Sequence, residues 1–416
     1  MNNKVNVLMP KYCESFKCTA EKCQSHCCGG WAIFIDKNTY LKYKKLPDGT
    51  ELKKKINKYI SRNRSGLTST DNQYAKIAFD EQTGLCPFLD ESNLCEFQKQ
   101  YGESYLCKAC ANFPRITSFI DGSVDRCLDL SCPEAARLAL FSDDALDFIN
   151  PEMELDQIKK NCTILDFGSK EYADKAQRYF WDIRIGSLQI LKDRRFTIEQ
   201  RLVLIGLLYK RILKLEQDNC TGKIPEEIEG YIKNIDYSVK SMLDDVKPRI
   251  DIQLAFALKA FNIKFTDNMK LEAFEEAVEQ FELLFKSNGH ISSEIMAFDK
   301  FEELYNEYLR PYVKQKPYVL ENFIINIFFS KTMPFEDDNS IWDSYVNLCA
   351  YLALLKIMVV CLTAKYGKLD DELMLKAVFS FSRRYLHNQA FSDVLKEIFF
   401  TQGNDSMAYV VSIINN

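Results

Sequence analysis

Apolar and polar positions divide the chain into two parts of different character. From Pro133 onward, long apolar-rich segments are separated by Gly or Pro, which is typical of successive helices. Ser131, Pro133 and Glu134 give a helix start, with a capping Ser ahead of Pro and an acidic residue in the first turn. The further segments predicted to be helical are 169–192, 197–217, 225–245, 268–286, 291–309, 318–331, 340–366, 369–386 and 389–400. The pattern therefore predicts an all-helical region over residues 133–416.

The first part of the chain lacks such long segments. The run GWAIFID is rich in aliphatic and aromatic residues and predicts a short strand, and Asp36 is placed to cap a helix over residues 37–46. Residues 65–130 predict loops, short strands and short helices, because Gly and Pro interrupt them repeatedly. We therefore expect a mainly α protein, with an irregular cysteine-rich domain over residues 1–132 and a helical domain over residues 133–416.

One apolar run approaches the length of a membrane span. Residues 348–364 are apolar apart from Lys356, which makes them slightly too short and too polar for an uncharged span. We expect a buried core helix there, and no membrane partner. The first residues, MNNKVNVLMP, lack the apolar core of a signal peptide. A cytoplasmic protein is the expectation.

Composition narrows the class of protein. Apolar residues make up 47% and charged residues 27%, as in soluble globular proteins, and 416 residues favour two or three domains. The 15 Gly and 11 Pro are about half the usual share of turn formers, which favours helix. The net charge of −5 gives no basic footprint, so we expect no nucleic-acid partner.

The cysteines are concentrated in the first part of the chain. Eleven of the 15 lie within residues 1–132, whereas the whole chain has only 3 His, so a histidine-rich metal site is excluded. The first cluster has the spacing C-x4-C-x4-C-x3-C-C. Thiolates spaced this way can converge on one soft metal centre. The alternatives are buried free thiols and, third, disulfides, which the absence of export signals disfavours.

The spacing of the cysteines gives information on the identity of the metal but does not determine it. Zinc sites favour paired C-x2-C motifs, and only Cys107 and Cys110 have that spacing. Four-thiolate iron–sulfur sites tolerate more varied spacing. The adjacent Cys27 and Cys28 diverge on an extended backbone, so one can ligate while the other packs or serves a second site. The C-x3-C-x2-C motif of radical S-adenosylmethionine enzymes does not match, because Gly30 occupies its third position.

Several stretches together resemble a known family. FKCTAEKCQSHCCGGW (residues 16–31) resembles the cysteine signature of flagellin lysine-N-methylases, and of a wider group of zinc- or iron-chelating domains. LCPFLDESNLCEFQKQYG, LCKACANFPR and SCPEAARLAL are similar to later parts of the same domain. ENFIINIFFSKTMPF (residues 321–335) is similar to a family helix in the C-terminal half.

The resemblance implies an activity and a metal centre. It implies methyl transfer from S-adenosylmethionine to the ε-amine of surface lysines of flagellin, which would be the protein partner. It also implies a metal held by N-terminal cysteines, with a 4Fe-4S iron–sulfur cluster favoured over zinc. The family pattern maps onto Cys18, Cys23, Cys27, Cys28, Cys86, Cys95, Cys110 and Cys132. Cys13, Cys107 and Cys127 fall outside it, and we expect them not to ligate.

Candidate catalytic residues are polar groups in apolar surroundings. Glu321 and Asn322 begin a strongly apolar helix, which also carries Asn326; a buried hydrogen-bond network is the alternative to catalysis. Arg115 could bind a carboxylate or phosphate, or clamp an Asp of the metal loop. Trp31 could stack on the adenine or sulfonium of the cofactor, or pack in the core.

Two other functions stay open on the sequence. No Gly-rich G-x-G loop follows a first strand, so any S-adenosylmethionine site must be built differently from the usual one. A non-catalytic metal-binding scaffold and an iron–sulfur oxidoreductase are the alternatives to a protein lysine N-methyltransferase. The sequence indicates no oligomeric state.

Overall fold

A computed structural model gives the architecture of the chain. The structure describes residues 4–415 apart from 24, 26, 30–32, 65–69, 146, 156–161, 264–270, 286–290, 337–338 and 402. Trp31 therefore lies outside the described residues.

The first part of the chain contains most of the strands. The strands are β1 (Lys4–Pro10), β2 (Phe34–Ile35), β3 (Ile60–Arg62), β4 (Ala75–Ile77), β5 (Arg115–Ile120), β6 (Ser123–Leu128), β7 (Phe148–Ile149), β8 (Glu152–Glu154) and β9 (Thr163–Leu165). The helices of this part are α1 (Lys37–Lys44), α2 (Glu51–Tyr59), α3 (Glu96–Tyr101) and α4 (Lys108–Asn112), and α5 (Pro133–Leu140) begins the second part.

The larger sheet has the strand order β7-β1-β6-β5-β9, and β8 also pairs with β1. β1 and β6 are parallel, with Val7 opposite Val124, whereas β5 and β6 form an antiparallel hairpin. Asp121 and Gly122 form the hairpin turn with φ of 50° and 82°. Asp-Gly is a favoured pair for a two-residue turn whose central residues both need positive φ.

The smaller sheet is antiparallel, in the order β2-β4-β3. Its hydrophobic core is separate from the main one and includes Tyr43, Phe88 and Phe97. The Tyr43 and Phe97 rings stack with centroids 4.2 Å apart. The Asp36 side chain accepts a hydrogen bond from the Thr39 amide at 3.0 Å, which confirms the predicted helix cap.

The rest of the chain is helical. Its helices are α6 (Phe180–Leu191), α7 (Ile198–Gln217), α8 (Ile224–Lys233), α9 (Tyr237–Asp244), α10 (Ile250–Phe261), α11 (Glu272–Phe285), α12 (Ile291–Leu304), α13 (Arg310–Gln315), α14 (Tyr318–Ser330), α15 (Ile341–Tyr366), α16 (Asp371–Phe381), α17 (Gln389–Lys396) and α18 (Met407–Ile414). Single π-helical turns follow α12, α16 and α17 at Tyr305–Leu309, Ser382–Leu386 and Glu397–Thr401.

Helix α15 is the centre of the main core. It packs against α7, α11, α16 and α18, and the apolar stretch that could cross a membrane by length and composition is wholly buried within the protein. Among the described residues it is the one helix that passes that test. The expected core helix over residues 348–364 is thus confirmed. Ile120 and Leu128 of the larger sheet belong to the same core, as does Tyr12, which follows β1.

The predicted fold class needs two corrections. The chain is mainly α, as expected, but the first part contains two sheets rather than an irregular chain. The region from residue 133 is not all helical, because β7, β8 and β9 pair with strands of the larger sheet. The long helices begin only at Phe180. These strands have two or three residues each, so their sequence carries too little alternation to predict them.

Candidate functional site

Six cysteine side chains line one small cavity beside the core of the smaller sheet. The cavity measures about 90 Å³. Its thiols, which define the cysteine cavity, belong to Cys27, Cys28, Cys86, Cys95, Cys107 and Cys110. Aromatic side chains, including Tyr43, Phe88 and Phe97, form much of the remaining wall. The site is therefore rich in soft donor atoms and otherwise apolar.

Local backbone pairing brings these cysteines together. The Cys86 amide donates to the Cys28 carbonyl at 2.7 Å, and a β-bridge joins Gly29 to Leu85. A second bridge joins Leu89 to Cys95, where α3 begins. Cys107 and Cys110 occupy one turn at the start of α4, which places both thiols on the cavity. Segments distant in sequence thus supply the lining in pairs.

Burial and mutual hydrogen bonding set the acidity of the thiols. The Cys27 and Cys28 sulfurs are 3.9 Å apart, and a hydrogen bond from Cys28 lowers the pKa of Cys27 to about 7. A hydrogen bond from Cys110 likewise lowers the pKa of Cys107. Burial raises the pKa of Cys86 to about 12. In each of the two hydrogen-bonded pairs, Cys27–Cys28 and Cys107–Cys110, one thiol therefore ionises more readily than its partner.

The donor set fits a soft metal by its chemistry. Cysteine thiolates are the ligands of iron–sulfur clusters and of structural zinc, and six of them face one cavity. Within the described parts of the chain, however, no three His, Cys, Asp or Glu side chains are arranged around a common point as metal ligands. A metal at this cavity therefore stays a proposal.

The eight predicted ligands do not share one place. Five of them line the cysteine cavity, and they are joined there by Cys107, which we expected not to ligate. Cys18 is exposed. Cys23 and Cys132 do not line the cavity, although the charge of Arg383 acts on both of them and on Cys27. The C-x2-C spacing of Cys107 and Cys110 was the signal that could have included Cys107. Which thiols ligate stays a prediction.

Arg383 ties the first cysteine loop to the rest of the protein. Its guanidinium donates to the Ser131 carbonyl at 2.7 Å and to the Ser25 carbonyl at 3.0 Å. The side chain comes from the π-helical turn after α16, so it crosses from the helical part to the loop that carries Cys23 and Cys27. Burial lowers the pKa of Arg383, against the effect of the neighbouring thiolates.

The predicted catalytic Glu321 lies in a buried ion-pair network. Its carboxylate accepts hydrogen bonds from Arg194 at 2.9 and 3.0 Å and from Arg201 at 2.6 Å. Arg201 is itself buried and also donates to the Leu191 carbonyl at 2.7 Å. This arrangement matches the structural alternative that the sequence left open, and a catalytic role for Glu321 stays untested.

The asparagines of α14 join that helix to two earlier segments of the chain. Asn322 donates to the Ser142 carbonyl at 2.9 Å. Asn326 donates to the Tyr12 hydroxyl at 2.5 Å and to the Leu128 carbonyl at 3.2 Å. Asn326 therefore joins α14 to the first part of the chain, whereas Asn322 binds the turn that follows α5.

Arg115 is not placed with Glu321 and Asn322. It begins β5 on the exposed side, with its guanidinium carbon 5.3 Å from the centre of the Phe16 ring. Among the described residues it forms no ion pair, so the clamp on an Asp, one of the two alternatives that the sequence left open, is not seen there. Its catalytic assignment stays a prediction.

A second, larger cavity lies where the two parts of the chain meet. It measures about 260 Å³. The residues that define this junction cavity include Asp129, Asn326, Ser330, Lys331, Thr332 and His387. Here Nε2 of His387 lies 2.8 Å from Oδ2 of Asp129. Burial tends to raise the pKa of Asp129, but the charge and hydrogen bond of His387 lower it to about 2. Sequence reasoning missed this site, because its two acid–base residues are far apart in the chain.

Comparison with known proteins identifies the family. The model of the FliB lysine N-methylase C-terminal domain matches residues 184–413, which is more than half of the chain. The chain therefore belongs to the FliB lysine N-methylase family, as the resemblance of its motifs predicted. Membership supports a role as a lysine methyltransferase.

Individual relatives agree with this assignment. The chain is 33% identical over 143 residues to the flagellar biosynthetic protein FliU of Salmonella muenchen, covering 34% of this chain and 82% of that protein. It is 21% identical over 390 residues to a lysine-N-methylase of Salmonella typhimurium strain LT2, covering 92% of this chain and 93% of the relative. A lysine-N-methylase of Salmonella choleraesuis has the same identity and coverage. No solved structure matches the chain.

Proposed function

We propose that this protein transfers methyl groups from S-adenosylmethionine to the ε-amines of surface lysines on flagellin. The observation that carries the proposal is the similarity to lysine-N-methylases over 92% of the chain, which includes both the cysteine-rich and the helical part. The flagellar name of the FliU relative supports flagellin as the substrate. We also propose a cytoplasmic location, where cysteines stay reduced.

We further propose that the cysteine cavity holds a metal centre, with an iron–sulfur cluster favoured over zinc. The thiols that would hold it are among the six that line the cavity. Such a cluster supplies electrons or a fixed charge when it is bound. The buried rings of Phe88 and Phe97 form part of the wall around the thiols, whereas Cys27 is exposed to solvent.

The reaction makes one demand on the chain's own residues. A lysine ε-ammonium has a pKa of about 10.4, so it is mostly protonated at neutral pH and cannot attack a methyl group. The enzyme must therefore remove a proton or exclude water around the amine. An acid–base group in an accessible cavity would meet this demand.

Methyl transfer is tested with purified flagellin and S-adenosylmethionine labelled in its methyl group. The expected result is label on flagellin lysines, located by mass spectrometry after proteolysis. The matched control is flagellin whose amines have been blocked by acetylation, which should take up none. Absence of label from metal-loaded protein would contradict the proposed function, and would favour a metal-binding scaffold.

The metal is tested separately by absorption and elemental analysis. Anaerobically purified protein should be brown and contain iron and sulfide. A colourless protein with stoichiometric zinc would contradict the iron–sulfur proposal while leaving methyl transfer open.

A further inference from the structure

The junction cavity combines an acid–base pair with space for a ligand. Its volume of about 260 Å³ is many times the roughly 10–15 Å³ that holds one water molecule. The side chain of His387 is 49% exposed, whereas that of Asp129 is 11% exposed. The imidazole can therefore be reached from solvent as well as from the cavity, and its partner carboxylate is protected.

The carboxylate is held in place on both oxygens. Oδ1 of Asp129 accepts the Ser131 amide at 2.9 Å, and Oδ2 lies 2.8 Å from Nε2 of His387. A neutral imidazole that donates from Nε2 to Asp129 has its lone pair on Nδ1. That nitrogen can then accept a proton, and the resulting imidazolium is stabilised by the adjacent carboxylate.

The remaining wall combines polar side chains with the aliphatic Ile116, Leu130 and Leu386, and it includes one strained backbone position. Asn326 and Ser330 come from α14, and Thr332 follows it with a φ of 50°. A β-branched residue in this conformation is costly, and such strain concentrates at functional sites. Asp129 and Lys331 are the charged residues that line the cavity with His387. Lys331 is paired with Glu336 at 3.1 Å, so its charge is largely balanced.

We propose that the junction cavity receives the side chain of the substrate lysine, and that His387, oriented by Asp129, removes the proton from its ε-ammonium. This inference rests on the proposed methyltransferase function. The ammonium proton moves to Nδ1 of His387, which leaves a neutral amine. The amine nitrogen forms a bond to the methyl carbon of a sulfonium donor, the carbon–sulfur bond breaks, and a neutral thioether leaves. The positive charge of the sulfonium passes to the methylated ammonium.

The site uses both parts of the chain. Asp129 follows the strand β6, whereas His387 follows the π-helical turn after α16. The cavity is therefore complete only when the larger sheet is docked on the helices. An ion pair that served only to hold the parts together would need no adjoining cavity of this size.

Chemical rescue distinguishes a proton acceptor from a structural tie. His387→Ala is expected to lower kcat for methylation of flagellin by about 100-fold or more, as loss of a general base does. Added imidazole should restore part of the rate, and substituted imidazoles should restore more as their basicity rises. Asp129→Asn should lower kcat with little change in KM, and imidazole should not rescue it. Lys233→Ala, which removes an exposed ion pair with Glu229, is the matched control and should keep full activity.

The outcomes of this experiment separate the role of His387 from the proposed methyltransferase function. If wild-type protein methylates flagellin but His387→Ala keeps its rate, or no imidazole restores a folded His387→Ala, the role of His387 is overturned. Should that variant fail to fold, His387→Asn takes its place, because the amide can still bond to Asp129. If the wild-type protein transfers no methyl group, the proposed methyltransferase function is itself contradicted, and with it the role of His387 that rests on it.

Discussion

The ammonium of Lys356 lies 2.6 Å from the carboxylate of Glu199 in the centre of the helical core. Lys356 is the single charge in the apolar stretch 348–364, and its side chain is only 1% exposed. It also donates to the Ile414 carbonyl at 2.9 Å. The pair therefore joins three helices, α7, α15 and α18, and is almost entirely buried.

Removal of one partner of this pair should be costly. Lys356→Met leaves the Glu199 carboxylate buried without its cation, and we expect the free energy of unfolding to fall by about 3–5 kcal/mol. Denaturant unfolding measures the change. The double variant Lys356→Met with Glu199→Leu should recover most of the loss, because no buried charge remains. Equal instability of the single and double variants would contradict this account.

The same pair should make stability depend on acid pH. Burial alone would raise the pKa of Glu199, but the charge and hydrogen bond of Lys356 outweigh it and hold the pKa below its usual value. The stabilisation is thus fully present above the unfolded pKa of about 4.3 and is lost as pH falls through the lower folded pKa. Denaturation midpoints of wild type and Glu199→Gln should converge below about pH 4. A difference between the two midpoints that stays constant with pH would contradict the assignment of this pH dependence to Glu199.

Glu321 offers a test between a structural and a catalytic role. Glu321→Ala leaves Arg201 buried without its anion, and we expect a loss of about 3–5 kcal/mol in the free energy of unfolding. Glu229→Ala, which removes an exposed pair with Lys233, should change stability by less than about 0.5 kcal/mol. If Glu321→Gln keeps the unfolding free energy but abolishes methyl transfer, the carboxylate acts in catalysis instead.

Close helix packing should be sensitive at Gly206. A Cβ at Gly206 would lie 2.3 Å from the hydroxyl of the buried Tyr345, so Gly206→Ala should destabilise the protein by about 1–3 kcal/mol. Gly230 is the matched control, because a Cβ there meets nothing within 4 Å. Gly230→Ala should stabilise α8 by about 0.5–1 kcal/mol. Thermal melting of both variants checks the contrast, and equal shifts would contradict it.

The cysteine cavity makes a prediction about metal content. Cys28→Ala and Cys86→Ala should lose bound metal and much of their stability, because the binding energy of thiolates to a metal is coupled to folding. Cys349 is also buried but belongs to α15 in the main core, so Cys349→Ala should lose stability without losing metal. Elemental analysis separates the two effects. Unchanged metal in both cavity variants would refute the assignment.

Local sequence patterns were sufficient for the features that depend on neighbouring residues. The cap at Asp36 and the long helix α15 follow from side chains within a few positions of each other. Helix α10 (Ile250–Phe261) was not predicted, although it is largely apolar. The predicted helix 225–245 is divided into α8 and α9, with Asp236 capping the second. A capping side chain such as Asp236 can therefore begin a new helix inside a segment whose apolar pattern predicts a single one.

Features that need distant partners could not be predicted in this way. Glu321 looked catalytic because a carboxylate on an apolar helix is unusual, but its partners Arg194 and Arg201 are more than a hundred residues away. Asp129 and His387 carry no shared motif, and only the docking of the larger sheet on the helices brings them together. The motifs of the cysteine-rich part were informative because their spacing is itself part of the signal.

Four positions separate Arg383, which holds the carbonyls of Ser25 and Ser131, from His387, which faces the junction cavity. The stretch between them is a single π-helical turn, so both side chains belong to one short backbone segment. A change in the cysteine loop that moves Ser25 would act on Arg383, and through this short turn on the position of the His387 imidazole. Loss of methyl transfer in a cysteine variant therefore has to be assigned with the position of His387 monitored at the same time.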